Sequence, residues 1–235
     1  MIKKIMENSI KTIINSTLAD IAAAQKLSPY AQNVRLVAIS KTKPAEMVQE
    51  AYDAGQRHFG ENYVDEIAEK SPVLPQDIKW HFVGHLQSNK VNKVIVPNLW
   101  CIETVDSIKL VKKINQNCDS KNMELNVMIQ LKTSDEDTKN GVSEDEAMEI
   151  TEFVLNDCKR LQFLGYMTIG EAGDMEAFTR TRKAKERAVE KFGLKSDEIE
   201  LSMGMTADYV EAIKSGSNNI RVGSKIFGAR APKVV

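Results

Sequence analysis

The sequence predicts an α/β protein built as a single (β/α)8 TIM barrel with an extra N-terminal helix. Three observations point there. Short β-branched or apolar runs alternate with helical patterns roughly eight times along 235 residues, the signature of parallel strands joined by helical crossovers. Eight such units fit a barrel of ordinary length. No linker, low-complexity tract or repeat divides the chain, so residues 1–235 read as one domain. A doubly wound open sheet is the alternative architecture.

Residues 1–28 come first. Ile10, Ile14, Leu18 and Ile21 recur at helical spacing, so this segment reads as an amphipathic helix packed on the barrel. Its basic start resembles a signal peptide, but polar residues interrupt every apolar run. Nothing in the chain is long and apolar enough to cross a bilayer. The predicted strands are residues 34–40, 57–62, 79–85, 99–105, 125–132, 161–169, 199–205 and 219–228. Helical segments between them include residues 44–54, 107–117, 143–155, 174–192 and 207–215. Pro44 suits a first helical turn. Ser143 with Glu146 is a capping box. Gly55, Gly193 and Gly216 stand where helices should end. The polar stretch SDEDTKNG, residues 134–141, is expected to be the most mobile loop.

Composition narrows the function. The chain is 42% hydrophobic and 28% charged, with 32 Lys+Arg against 33 Asp+Glu, a formal net charge of −1. No global field draws it to nucleic acid or to an anionic membrane. Cys101, Cys118 and Cys158 are odd in number and far apart, with no CxxC pair, which suits a reducing, cytoplasmic setting. The scattered methionines read as core filler. The charge-rich stretch TRTRKAKERAVEK, residues 179–191, reads as a solvated outer helix face.

A barrel works at the carboxyl ends of its strands. The first strand ends in Ser40 and Lys41, the second in Gly60, Glu61 and Asn62, the third in His81, Gly84 and His85. The last two supply SMGMT (Ser202, Gly204, Thr206) and RVGSK (Arg221, Gly223, Ser224, Lys225). Small residues there let backbone N–H groups approach an anion, and a helix starting near Thr206 would add its positive end. Closure of the barrel sets strand one beside strand eight, so Lys41 should neighbour this cradle. An aldehyde bearing a phosphate would satisfy both. A lysine at an apolar mouth is partly desolvated, which frees its amine to attack a carbonyl. Lys43 competes for that role, but it precedes Pro44 and should lie further out in an extended loop.

Each assignment has a plainer alternative. A strand-end lysine is more often solvated or ion-paired. His81 and His85 share a strand face, but no third metal ligand is evident, and a hydrogen-bonded mouth histidine is the simpler reading. Arg221 could pair with an acidic neighbour, and Ser202 and Ser224 could cap or pack. Glu61 is read as a helix N-terminal acid.

LVAISKTKP, AGQRHFGENYV, KWHFVGHLQSNK, LSMGMTADY and RVGSKIFGAR stand in this order across nearly the whole chain. In these segments the sequence resembles the pyridoxal phosphate homeostasis proteins, the YggS/PROSC family, which are similar in turn to the N-terminal barrel of alanine racemase. The resemblance implies pyridoxal 5′-phosphate held as a Schiff base on Lys41. It implies a phosphate held by Ser202, Gly204, Gly223 and Ser224, and Asn62 and His81 lining the ring. Arg221 should face the cofactor, at either the ring nitrogen or the phosphate. At the ring nitrogen, an arginine would weaken the ring as an electron sink, which suits a holder. Thr206 stands where serine is frequent, and Lys225 where a small residue is usual.

The resemblance implies a carrier without established turnover, serving intracellular homeostasis of the cofactor. Expected partners are the cofactor and, transiently, apo-enzymes that depend on it; the chain is expected to be a monomer. A racemase-like enzyme is the alternative. The sequence argues against it by stopping at Val235, without a further domain to supply a second acid–base group. A phosphosugar lyase using Lys41 without a cofactor is a third reading.

Overall fold

The computed structural model describes residues 9–30, 33–133, 140–171 and 174–229. Most of the polar loop 134–141, the first eight residues of the N-terminal segment and Arg230 of the IFGAR ending lie outside the described residues. The chain opens with helix α1 (Ile10–Leu27), and then strands and helices alternate. In order they are β1 (Arg35–Ile39), α2 (Ala45–Asp53), β2 (His58–Glu61), α3 (Val64–Lys70), β3 (Lys79–Phe82), α4 (Val91–Val94), β4 (Leu99–Val105) and α5 (Ile108–Ser120). They continue as β5 (Leu125–Leu131), α6 (Glu144–Asp157), β6 (Leu161–Thr168), α7 (Met175–Phe192), β7 (Glu200–Met205), α8 (Tyr209–Lys214), β8 (Asn219–Val222) and α9 (Ser224–Phe227). The eight strands pair in sequence order and close into a barrel. Closure is the parallel pairing of β1 with β8, where Val37 stands opposite Arg221 and Ala38 opposite Val222. The open sheet is thereby excluded.

The chain's punctuation acts as its chemistry dictates. Ser143 and Glu146 form the reciprocal capping box of α6. Gly193 ends α7 in the left-handed conformation that glycine adopts without steric cost. Pro44 is the residue just before α2 rather than its first member. On α1 the buried stripe is Ile10, Ile14, Thr17, Ile21 and Ala24. Leu18, predicted inside, is 45% exposed. Thr17 takes its place, its hydroxyl donating to Ile13 O at 2.8 Å, so a small polar residue packs without an orphaned group.

Several boundaries differ from prediction at the working end, and the third strand stops at Phe82 rather than at residue 85. The last strand stops at Val222. The KIF run reads as strand by composition, yet the Ile226 and Phe227 amides both donate to Gly223 O, which makes a helical turn. The helix predicted from residue 207 begins at Tyr209. Asp208 Oδ1 accepts the Met205 amide at 2.7 Å, and this turn takes up Thr206 and Ala207. Most of the core lies between the barrel and its helices. Inside the barrel, Val37, Ile39 and Val83 form a small apolar cluster near the mouth. Among the described residues, no helix is long and apolar enough to cross a membrane.

Candidate functional site

At the carboxyl ends of the strands is a cavity of about 520 Å³, lined by residues of β1, β7, β8 and the segments after β1, β2, β3, β6, β7 and β8. That volume suits a small organic ligand. Lys41 and Lys43 share it with Asn62, Arg221, Gly223 and Ser224. Five of the eight predicted site residues therefore meet: Lys41, Asn62, Arg221, Gly223 and Ser224. Lys43, expected further out in the loop, lines the cavity together with Lys41. Lys43 Nζ donates to Ala229 O at 2.8 Å.

Each lining residue has a local reason for its position. Lys41 leaves β1 just above the apolar cluster of Val37, Ile39 and Val83. Gly223 presses against β1: a Cβ there would lie 3.2 Å from Ile39 O. The Gly223 amide donates to Thr206 Oγ1 at 3.3 Å, tying the β7 and β8 loops together. Of the four residues expected to hold a phosphate, Gly223 and Ser224 border the cavity, joined by Thr206 and Ala207, and Ser202 and Gly204 do not. The first amides of α9 have no partner within their own helix and face the start of that turn. Asn62 is fixed by Gly84, where a Cβ would come within 2.0 Å of Asn62 O. Asn62 Oδ1 is buried and has no hydrogen-bond partner, the mark of a polar group arranged for something else.

His81, Ser202 and Gly204 do not line the cavity; each has another place. Gly204, at φ 95°, faces α8: a Cβ would lie 2.5 Å from that of Ala212. It permits helix packing rather than anion contact. Ser202 and His81 belong to a polar column inside the barrel. Arg221 donates through one guanidinium nitrogen to Ser202 Oγ at 2.5 Å and through the other to Thr168 O at 2.7 Å. Ser202 Oγ donates to Glu103 Oε2 at 2.5 Å. Glu103 Oε1 accepts Asn219 Nδ2 at 3.0 Å and shares a 2.5 Å bond with His81 Nδ1. His81 Nε2 lies 2.8 Å from His58 Nδ1. His85, by contrast, is half exposed and 3.6 Å from Asp106, so the two predicted histidines do not share a site.

The electrostatics follow from burial. Burial works to raise the Glu103 carboxyl, but the bond with His81, the Arg221 charge and the Ser202 hydroxyl outweigh it and bring it to about 2. Burial, with His81 and Arg35 nearby, lowers His58 to about 2. Arg221 thus has a counter-charge inside the barrel, as the plainer reading allowed, while still bordering the cavity.

Glu61 is the last residue of β2, fully buried, and not a helix N-terminal acid. Burial raises its carboxyl to about 7 despite Lys70 and Ser40, which both bond to it. Lys225 turns away from the cavity to Asp20 and Tyr209 Oη, at 2.7 and 2.6 Å, pinning α1 to the barrel. Lys225, which stands where a small residue is usual, is therefore not part of the cavity lining. The sequence offered little sign of Glu103, His58 or Lys70. The only cue was a charged residue inside an otherwise apolar strand run at Glu103.

Residues 18–231 match the family described as alanine racemase, N-terminal domain. The chain is 40% identical to a pyridoxal phosphate homeostasis protein of Caenorhabditis elegans, over 98% of both chains. It is 44% identical to the human protein of that name, over 92% of this chain and 84% of that one. Among solved structures, PipY of Synechococcus elongatus PCC7942, with PLP bound, superposes with a TM-score of 0.79 at 30% identity. The match covers 94% of this chain and 100% of PipY. The chain belongs to the pyridoxal phosphate homeostasis protein family, on the barrel of the alanine racemase N-terminal domain.

Proposed function

We propose that this chain binds pyridoxal 5′-phosphate through Lys41 and acts as a carrier in the homeostasis of that cofactor. One observation carries the reading: a lysine at the end of β1 opens into the same small cavity as the Gly223–Ser224 turn and the orphaned Asn62 Oδ1. The donor set fits the cofactor group by group. Lys41 would hold the cofactor by offering its amine to the aldehyde. Asn62 Oδ1 offers an acceptor to the ring hydroxyl. Gly223, Ser224, Thr206 and Ala207 offer small side chains, hydroxyls and amides to the phosphate. Arg221 supplies fixed positive charge at the cavity's inner side. Ser202, Gly204 and His81 support these groups from behind.

Bound cofactor supplies an electron sink in enzymes that use it; here the chain's own groups hold it. The names of the relatives support a carrier rather than a catalyst. Transient contact of a monomeric chain with apo-enzymes is part of the proposal, as is a cytoplasmic location. Three buried free cysteines suit a reducing compartment.

Cofactor transfer tests the carrier reading. Protein loaded with the cofactor is mixed with an apo-enzyme that requires it. Transfer predicts a fall in the carrier's visible absorbance as the recipient gains activity, with no racemisation of L-alanine by the carrier alone. Steady racemisation that disappears in Lys41→Ala would favour the enzyme reading instead.

A further inference from the structure

The turn that bears Lys41 is gripped from behind by charged side chains that do not line the cavity. The Lys43 amide donates to Ser40 O at 3.0 Å, so Lys41 and Thr42 form the two corners of a four-residue turn. Thr42 has φ 63°. A β-branched residue in that region is strained, and such strain persists only where the surroundings impose it.

The surroundings are α3 and the end of β2. Both carboxylate oxygens of Glu66 accept the Thr42 amide, at 3.0 and 2.8 Å. Lys70, one helical turn further along α3, has a side chain only 9% exposed. Its ammonium donates to Ser40 O at 3.0 Å, Glu61 Oε1 at 2.7 Å and Glu66 Oε2 at 2.6 Å. That uses all three of its donors. Ser40 Oγ donates to the same Glu61 oxygen at 2.7 Å. The carbonyl and hydroxyl before Lys41 and the amide after it are therefore all bound to one ionic cluster, in which Glu61 and Lys70 are buried and the Glu66 side chain is 22% exposed. A lysine that served only to solvate a helix end would point to water. Lys70 instead spans the two flanks of the turn.

We propose that Lys70 and Glu66 are positioning residues: they hold the Ser40–Lys43 turn in a strained conformation that presents the Lys41 amine to the cofactor aldehyde. The inference rests on Lys41 being the attachment site. Neither residue touches the cofactor, and their effect passes through Thr42 and Ser40.

The test is cofactor capture by full-length protein freed of its cofactor. Pyridoxal 5′-phosphate is added, borohydride stops the reaction at intervals, and peptide mass mapping measures label on Lys41. Melting is recorded on the same samples. Glu66→Ala should slow labelling roughly tenfold or more, because a misaimed amine loses effective concentration. It should also speed hydrogen exchange at the Thr42 amide. Adding Thr42→Gly should restore the labelling rate, because glycine takes positive φ without the clamp. If Glu66→Ala does not fold, Glu66→Gln carries the comparison, keeping one acceptor and losing the charge. Variants that label at the wild-type rate, or a slowed Glu66→Ala that Thr42→Gly leaves slow, would overturn the clamp. Failure of the wild-type protein to label at Lys41 would overturn the attachment site itself.

Discussion

Glu103 carries more of this site than any residue the sequence singled out, although it does not border the cavity. It is fully buried and bonds to Ser202, His81 and Asn219. Through Ser202 it holds Arg221, which is itself 4% exposed. Removing one partner of a buried charge cluster leaves the other uncompensated. Glu103→Ala should therefore destabilise the fold by about 3 kcal/mol, measured by denaturant unfolding. Asn62→Ala is a milder case. It removes an acceptor that has no partner in the protein. It should leave unfolding almost unchanged while weakening cofactor binding roughly tenfold, the loss of one hydrogen bond of about 1.4 kcal/mol. An equal cofactor affinity in Asn62→Ala would remove Asn62 from the site.

These residues differ in how far the sequence disclosed them. Lys41, Gly223 and Ser224 follow strand ends, and a barrel sends every strand end to one face. Glu103, His58 and Lys70 do not announce themselves that way. For Glu103 on β4, whether the side chain enters the barrel depends on strand parity and on register, and β3–β4 and β4–β5 both shift register. Lys70 lies on helix α3, where only the fold shows what it reaches.

At the scale of elements, the loop after β3 is fixed by a close approach. Gly84 lies where a Cβ would meet Asn62 O at 2.0 Å and Asn62 C at 2.7 Å. Backbone cannot yield as a flexible side chain can, so Gly84→Ala should displace the β2 loop. We expect the cavity to lose most of its cofactor affinity, measured by titration of visible absorbance, while the far side of the barrel keeps its amide-exchange protection. The same element explains why FVGH was legible as a motif but not as a mechanism: the sequence shows a glycine, and only the fold shows what it touches. The overlong eighth strand has a related cause. Ile226 and Phe227 suit a strand by composition, but the core they enter lies beneath a helical turn. The strand–helix alternation was most readable where a long helix carries a side-chain cap, as α5, α6 and α7 do. Helices α3 and α4 are short and have no side-chain cap, and no signal in the sequence marked them.

For the whole molecule, closure of β8 on β1 brings the first and last strands together at one site. It also buries two acids with opposite responses to pH. Glu61, raised from 4.5 to about 7, contributes stability that is present below pH 4.5 and lost as pH rises through about 7. Glu103, lowered from 4.5 to about 2, contributes stability present above pH 4.5 and lost as pH falls through about 2. Melting temperatures of Glu61→Gln should therefore decline less than those of the wild type between pH 4.5 and 7. A parallel decline in both proteins would mean that Glu61 does not titrate in that interval. The most direct test of the account as a whole is reductive trapping. Protein incubated with pyridoxal 5′-phosphate should show a visible band that borohydride removes, with the cofactor's mass retained on the peptide containing Lys41. A band that never forms, or label on other lysines with Lys41 unmodified, would contradict the assignment of this barrel mouth as the cofactor's seat.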